Sequence, residues 1–176
     1  MSLAHFKTTT AAAFIASFAG TPKPHRIVIG AALAKPTTPP SLLIVQRSAH
    51  ERSYPNEWEI PGGHVDPGEG ILDTVVREVR EETGIKVTEV VKQFEGFHYW
   101  STKYEEGESE NKKDVEKSVC TQQLNFIVAA EDVATVVLNP EEHQAYAWCT
   151  KETIDQFQMT PTMRKVVSDA LDILAE

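Results

Sequence analysis

Apolar and polar positions along the chain follow two periods, and each predicts an element. Ile27 to Ala34 is apolar, interrupted only by Gly30, and opens on β-branched side chains, which predicts a buried strand. Lys35 to Ser41 carries three prolines and predicts a turn, and Leu42 to Arg47 predicts a second strand. Ile71 to Thr83 changes to helical spacing, with Leu72, Val75, Val76 and Val79 forming a stripe that faces a core. Val87 to Thr102 reads as one long strand or a bent pair, Ser118 to Ala130 alternates as a strand does, and Ala145 to Cys149 is a short strand. Between them, Glu105 to Lys117 is charged and nearly free of apolar side chains, which reads as a mobile loop, either a lid or a decoration. Glu152 to Gln158 and Pro161 to Ala175 read as two final helices, the second with proline in its first turn. Strands interleaved with helices predict an α/β or α+β sheet covered on both faces.

Thr21-Pro22-Lys23-Pro24 reads as a linker between an N-terminal appendage, residues 1–24, and a single domain over residues 25–176. Ala11 to Ala19 can mimic a short signal-peptide core, with Lys7 ahead of it, but reads better as a short helix or strand packed on the domain.

Length and charge narrow the function. The 176 residues suit one domain that needs no covalent staple. Seventeen basic against 26 acidic residues give a formal charge of −9, which argues against a protein that grips long nucleic acid by cation density. Small anionic ligands remain open, because a bound divalent metal reverses the local field. Cys120 and Cys149 make no disulfide framework and fit a reducing, cytoplasmic setting. No apolar run is long enough to span a bilayer, so no membrane partner is expected, and the chain is expected to be a monomer or homodimer.

The candidate chemistry sits on the helix Ile71 to Thr83. Glu78, Glu81 and Glu82 occupy i, i+3 and i+4 on one side, where they repel one another, and they lie in the last turns, where the helix dipole disfavours negative charge. Arg77 and Arg80 can serve as counter-ions on a merely solvated face. Yet a break of a local rule tends to mark a functional site, and converging carboxylates suit Mg²⁺, Mn²⁺ or Ca²⁺. Pro61-Gly62-Gly63 can turn a backbone carbonyl toward them, and Gly84 stands where the helix needs a left-handed stop.

Gly63-x5-Glu69-x7-Arg77-Glu78-Val79-x-Glu81-Glu82-x-Gly84-Ile85 resembles the complete Nudix box, and Trp58-Glu59-Ile60-Pro61-Gly62-Gly63 resembles its lead-in. The one departure is Gly70, where relatives often carry Ser or Thr as a better N-cap. The resemblance implies an α/β/α sandwich around a central mixed sheet and a metal-dependent pyrophosphohydrolase of nucleoside-diphosphate-linked substrates. By it, Glu78 and Glu82 are the main ligands of Mg²⁺ or Mn²⁺, Glu81 joins them in some relatives, and the Gly62 carbonyl completes the set. Gly63, Glu69, Arg77 and Gly84 are then structural parts of the box.

The general base implied by the resemblance is Glu78 in some relatives and a glutamate on an outside loop in others. Pro140-Glu141-Glu142-His143 resembles that loop, with Glu142 the first alternative and Glu141 the second, while His143 reads as a surface residue. Arg47 is a candidate substrate contact, and among Phe94, Phe97, Tyr99 and Trp100 the last two are the candidates for stacking a base. A coenzyme A pyrophosphatase, an RNA-end enzyme and a nucleotide-sensing module without turnover are the competing readings.

Overall fold

The computed structural model describes residues 3–35, 37–105 and 115–176. Two short helices come first, α1 (Leu3–Phe6) and α2 (Ala11–Ser17), then strands β1 (Arg26–Lys35), β2 (Ser41–Arg47) and β3 (Trp58–Glu59). Helix α3 (Ile71–Thr83) precedes β4 (Val87–Glu105), β5 (Val115–Ala130) and β6 (His143–Cys149), and a 3-10 turn (Ile154–Gln156) leads to α4 (Pro161–Ala175). The predicted strands and the two long helices are present. The predicted helix over 152–158 is reduced to the 3-10 turn. There Thr153 Oγ1 accepts from the Thr150 amide at 2.9 Å, a local bond that competes with helical pairing. Of the segment predicted as a loop, residues 106–114 lie outside the described residues, whereas Glu105 and residues 115–117 belong to strands.

The sheet runs β3-β2-β1-β5-β4, with β6 on the other side of β2. β1 and β5 are parallel from Arg26↔Thr121 to Leu33↔Val128, and the other pairs are antiparallel, so the sheet is mixed. β1 meets β2 only at Ala34 and Lys35. Over the rest of that edge the Gly-rich loop takes the partner's place: Ile29 N–H donates to Gly63 O at 2.8 Å and Ala31 N–H to Pro61 O at 2.7 Å. The loop that leads into α3 is thereby held like a strand.

Alternation along β1 and β5 fills two cores. Ile27, Ile29, Ala31 and Leu33 join Leu124, Phe126 and Val128 against Ile71, Val75 and Val79 of α3. Ala32, Ile127, Leu42 and Ile44 meet Val166, Val167, Ala170 and Leu171 of α4 on the opposite face. The stripe on α3 differs from the expected one in one position. Ile71, Val75 and Val79 are buried while Val76 is exposed, because the buried face is rotated toward Thr74, Glu78 and Glu82.

The N-terminal segment contributes to the first core. Phe6 and Phe14 are buried there, Phe6 edge-on to Phe126 at 5.5 Å, and each burial stabilises by about 2 kcal/mol. The same segment compensates for the weak cap at Gly70, which makes no side-chain bond: Thr9 O accepts from the Ile71 amide at 3.0 Å, one of the orphan donors of the first turn of α3. The other end stops at Gly84, with φ of 71° in the left-handed region that favours glycine.

Candidate functional site

Helix α3 presents its last two turns to the loop 61–64, and the two together form one wall of a cleft of about 410 Å³. Glu78, Glu81, Glu82, Gly62, Gly63, Arg47, Tyr99 and Glu142 all line it, as do Glu59, Gln123 and Met163 of α4. Glu78 and Glu82 are buried, at 8% and 3% exposure, which a solvated charged face would not show. Glu81 is half exposed and pairs with Arg77 at 2.9 Å.

The carboxylates differ in their support. Glu82 Oε2 accepts from the Gly62 amide at 2.9 Å. Burial pushes its pKa well above the ordinary 4.5, the charge of Glu59 adds to that, and the Gly62 bond only partly opposes it. Glu78 is also raised by burial, with Arg77 opposing and Glu81 and Glu142 adding to the shift. In the extended loop Pro61 and Gly63 turn their carbonyls to β1, so Gly62 faces the other way, toward Glu82.

Arg77 ties the box together. It donates to Glu69 through Nε at 2.8 Å and Nη2 at 2.9 Å, to Glu78 and Glu81 through Nη1, and to His64 O at 3.1 Å. Those bonds, with help from Thr74 and the Asp66 amide, hold the Glu69 carboxyl down to about 2. A carboxyl depressed in the fold adds stability that is present above about 4.5 and lost as pH falls through about 2. Glu69→Gln should therefore cost roughly 2 kcal/mol near neutral pH, the value of a charged hydrogen bond, and flatten the acid limb. Denaturant midpoints of both proteins between pH 2 and pH 7 check this.

Arg47 reaches the cleft from β2. Its Nη1 meets Glu59 at 2.7 Å, its Nη2 meets Glu51 at 3.0 Å, and its Nε donates to Ser53 O. Glu142 faces the cleft from the loop before β6, steadied by Asn139 Nδ2 at 3.0 Å.

Three expected residues fall elsewhere. Trp100 does not line the cleft, because side chains alternate along β4. Tyr99 turns inward, while Trp100 is 54% exposed on the other face against His25. Glu141 is exposed and outside the cleft, and its backbone carbonyl meets His50. His143 is not a surface residue. It opens β6 at 2% exposure, with Nε2 3.5 Å from Glu59 Oε1 and, among the described residues, no hydrogen bond at either ring nitrogen. Donor atoms of Glu82, Glu142 and His143 lie within 4.8 Å of one another. Sequence reasoning missed Glu59 and Gln123 as site residues. Glu59 stood inside the recognised lead-in, but no motif marks Gln123.

Six glutamates and two arginines line the cleft, and both arginines are already bound to carboxylates. Such a donor set, with the nearly fully buried carboxylate of Glu82 bonded to a backbone amide, fits a hard divalent cation.

A family model described as the NUDIX domain matches residues 24–170. The rat bis(5'-nucleosyl)-tetraphosphatase [asymmetrical] is 30% identical over 119 residues, which cover 68% of this chain and 73% of the relative. The Xenopus laevis m7GpppN-mRNA hydrolase NUDT17 is 39% identical over 62 residues, 35% of this chain but only 21% of that protein. Among solved structures, the NUDIX domain of Shewanella oneidensis NrtR, complexed with ADP ribose, aligns with a TM-score of 0.62 over 94% of this chain and 99% of that one, at 17% identity. The chain belongs to the Nudix family and is a hydrolase acting on phosphoric anhydride bonds.

Proposed function

We propose that the cleft hydrolyses the diphosphate linkage of a small nucleoside-diphosphate-linked substrate by attack of water at phosphorus. The observation that supports this most is the uncompensated acid of the cleft. A polyanionic substrate is repelled by six glutamates unless a cation comes with it. Glu78, Glu82 and the Gly62 carbonyl would hold Mg²⁺ or Mn²⁺, with Glu81 joining at the exposed rim. The ion, when bound, neutralises the phosphate oxygens and lowers the pKa of water.

The chain's own residues do the rest. Arg77 and Glu69 fix the loop on the helix, so that Gly62 and Glu82 keep their spacing. Arg47, prealigned by Glu51, Glu59 and Ser53 O, offers its guanidinium to a phosphate. Glu142 takes the proton of the attacking water, since it reaches the cleft beside Glu82 while Glu141 does not. Tyr99 supplies an aromatic wall.

A panel of dinucleoside polyphosphates, nucleoside triphosphates, oxidised nucleotides, nucleotide sugars, ADP-ribose and coenzyme A, assayed with Mg²⁺ or Mn²⁺, tests this reading. Dinucleoside tetraphosphates come first, because the rat relative named for them aligns over most of its length. The expected result is release of a nucleoside monophosphate or diphosphate that stops with chelator. Binding without turnover across the panel would overturn it.

A further inference from the structure

Besides its carboxylates, the cleft is floored by the amide of Gln123, which rests on a second amide, Asn125. Gln123 and Asn125 lie on β5, on the face they share with Phe97 and Tyr99 of β4, since Phe97 pairs with Gln123 and Tyr99 with Thr121. Asn125 is fully buried and Gln123 is 7% exposed.

The polarity of these amides follows from one fixed point. The Glu95 carbonyl can only accept, so Asn125 must turn its Nδ2 toward it, at 2.7 Å. Asn125 Oδ1 is then left for Gln123, whose Nε2 donates to it at 2.8 Å. Gln123 is thereby compelled to keep Oε1 at its free end. Among the described residues that oxygen accepts no hydrogen bond, and it is not among the buried atoms without a partner, so it opens into the cleft that Gln123 lines. Gly30 makes room for the pair: a Cβ there would stand 2.7 Å from Asn125 Oδ1 and 2.9 Å from Gln123 Nε2. Neither amide can flip without setting two acceptors or two donors against each other.

A lone acceptor of enforced polarity, diagonally next to the Tyr99 ring, selects for a donor. Accepting the phosphate site of the proposed function, we propose that Gln123 is the residue that reads the nucleobase. Its Oε1 accepts from an exocyclic amine, adenine N6 or cytosine N4, of a base lying against Tyr99, and rejects bases that carry a carbonyl at that position. A hypoxanthine or uracil oxygen there would face an oxygen, and a site built to bond an N–H discriminates strongly against an analogue that lacks it.

The test compares matched pairs that differ in that group: diadenosine with diinosine tetraphosphate, ATP with ITP, and CTP with UTP, by kcat/KM with Mg²⁺. Calorimetric binding of AMP and IMP provides a readout that needs no turnover. The wild type should favour the amine partner by at least about tenfold. Gln123→Met, close in size and without the acceptor, should bring the ratio to about one. A merely structural role would lower both members of each pair together, so a ratio unchanged in Gln123→Met overturns the proposal. So does a wild type that treats the two partners alike. If no substrate turns over, the hydrolase reading fails, and the AMP and IMP affinities still decide the role of Gln123.

Discussion

Glu82→Gln should lower metal-dependent hydrolysis on the order of 10³-fold or more, the scale of removing one preorganised contact to a developing charge, while the protein stays folded. Glu82 is 3% exposed, and its one neutral partner, the Gly62 amide at 2.9 Å, can be kept by a glutamine oxygen. Its raised pKa means that the fold favours the protonated form. The contribution of Glu82 to stability is therefore full below the ordinary value of 4.5 and is lost as pH rises through the raised one. Glutamine carries no such loss, so without metal the variant should melt at or above the wild-type temperature at pH 8. Metal should reverse the order. The wild type gains stability from Mg²⁺, more at pH 8 than at pH 5, because the ligands must shed their protons first. The variant should gain little at either pH. Melting curves at both pH values, with and without Mg²⁺, together with product release, check all of this. Turnover at the wild-type rate would remove Glu82 from the metal site.

Much of the fold and half of the site were legible in the sequence because they rest on local rules. Helix α3 was readable from end to end, since period, glycine stop and box coincide within one segment. Long-range placement was not. Trp100 and Tyr99 are neighbours in sequence, and only the register of β4 against β5 decides which faces the cleft. His143 looked like a surface residue because its flanks are polar, yet β6 turns it inward behind Glu59. Gln123 belongs to no motif. Its meaning comes from the Glu95 carbonyl 28 positions earlier, reached through Asn125. The buried state of Glu78 and Glu82 also escaped the pattern, because it depends on a loop folding over the helix.

Gly63→Ala separates that loop's geometry from its stability. A Cβ on Gly63 would stand 2.5 Å from Glu78 Oε1 and 2.7 Å from Oε2, so its nearest neighbours belong to the end of a side chain that can swing. The backbone has no need of glycine at this position, since among the described residues the glycines with positive φ are Gly62, Gly68 and Gly84. Stability should therefore fall by about 1 kcal/mol, the low end of the cost of overpacking, because a side chain can relieve it. Activity should fall far more. Glu78 is held in place by Arg77 at 2.9 Å, and a displaced carboxylate takes its share of the ligand set with it. A shift near 1 Å costs about 10²-fold when geometry is the source of catalysis. The loss should appear mainly in kcat and as a higher Mg²⁺ requirement, with Arg47 and the base-reading floor still able to bind nucleotide. Gly62→Ala is the contrasting variant. Its Cβ would fall 2.1 Å from the Ile29 carbonyl, a backbone atom that cannot swing aside, so it should lose stability and activity together. Equal loss of stability in the two variants would show that the loop, and not the position of Glu78, is what Gly63 protects.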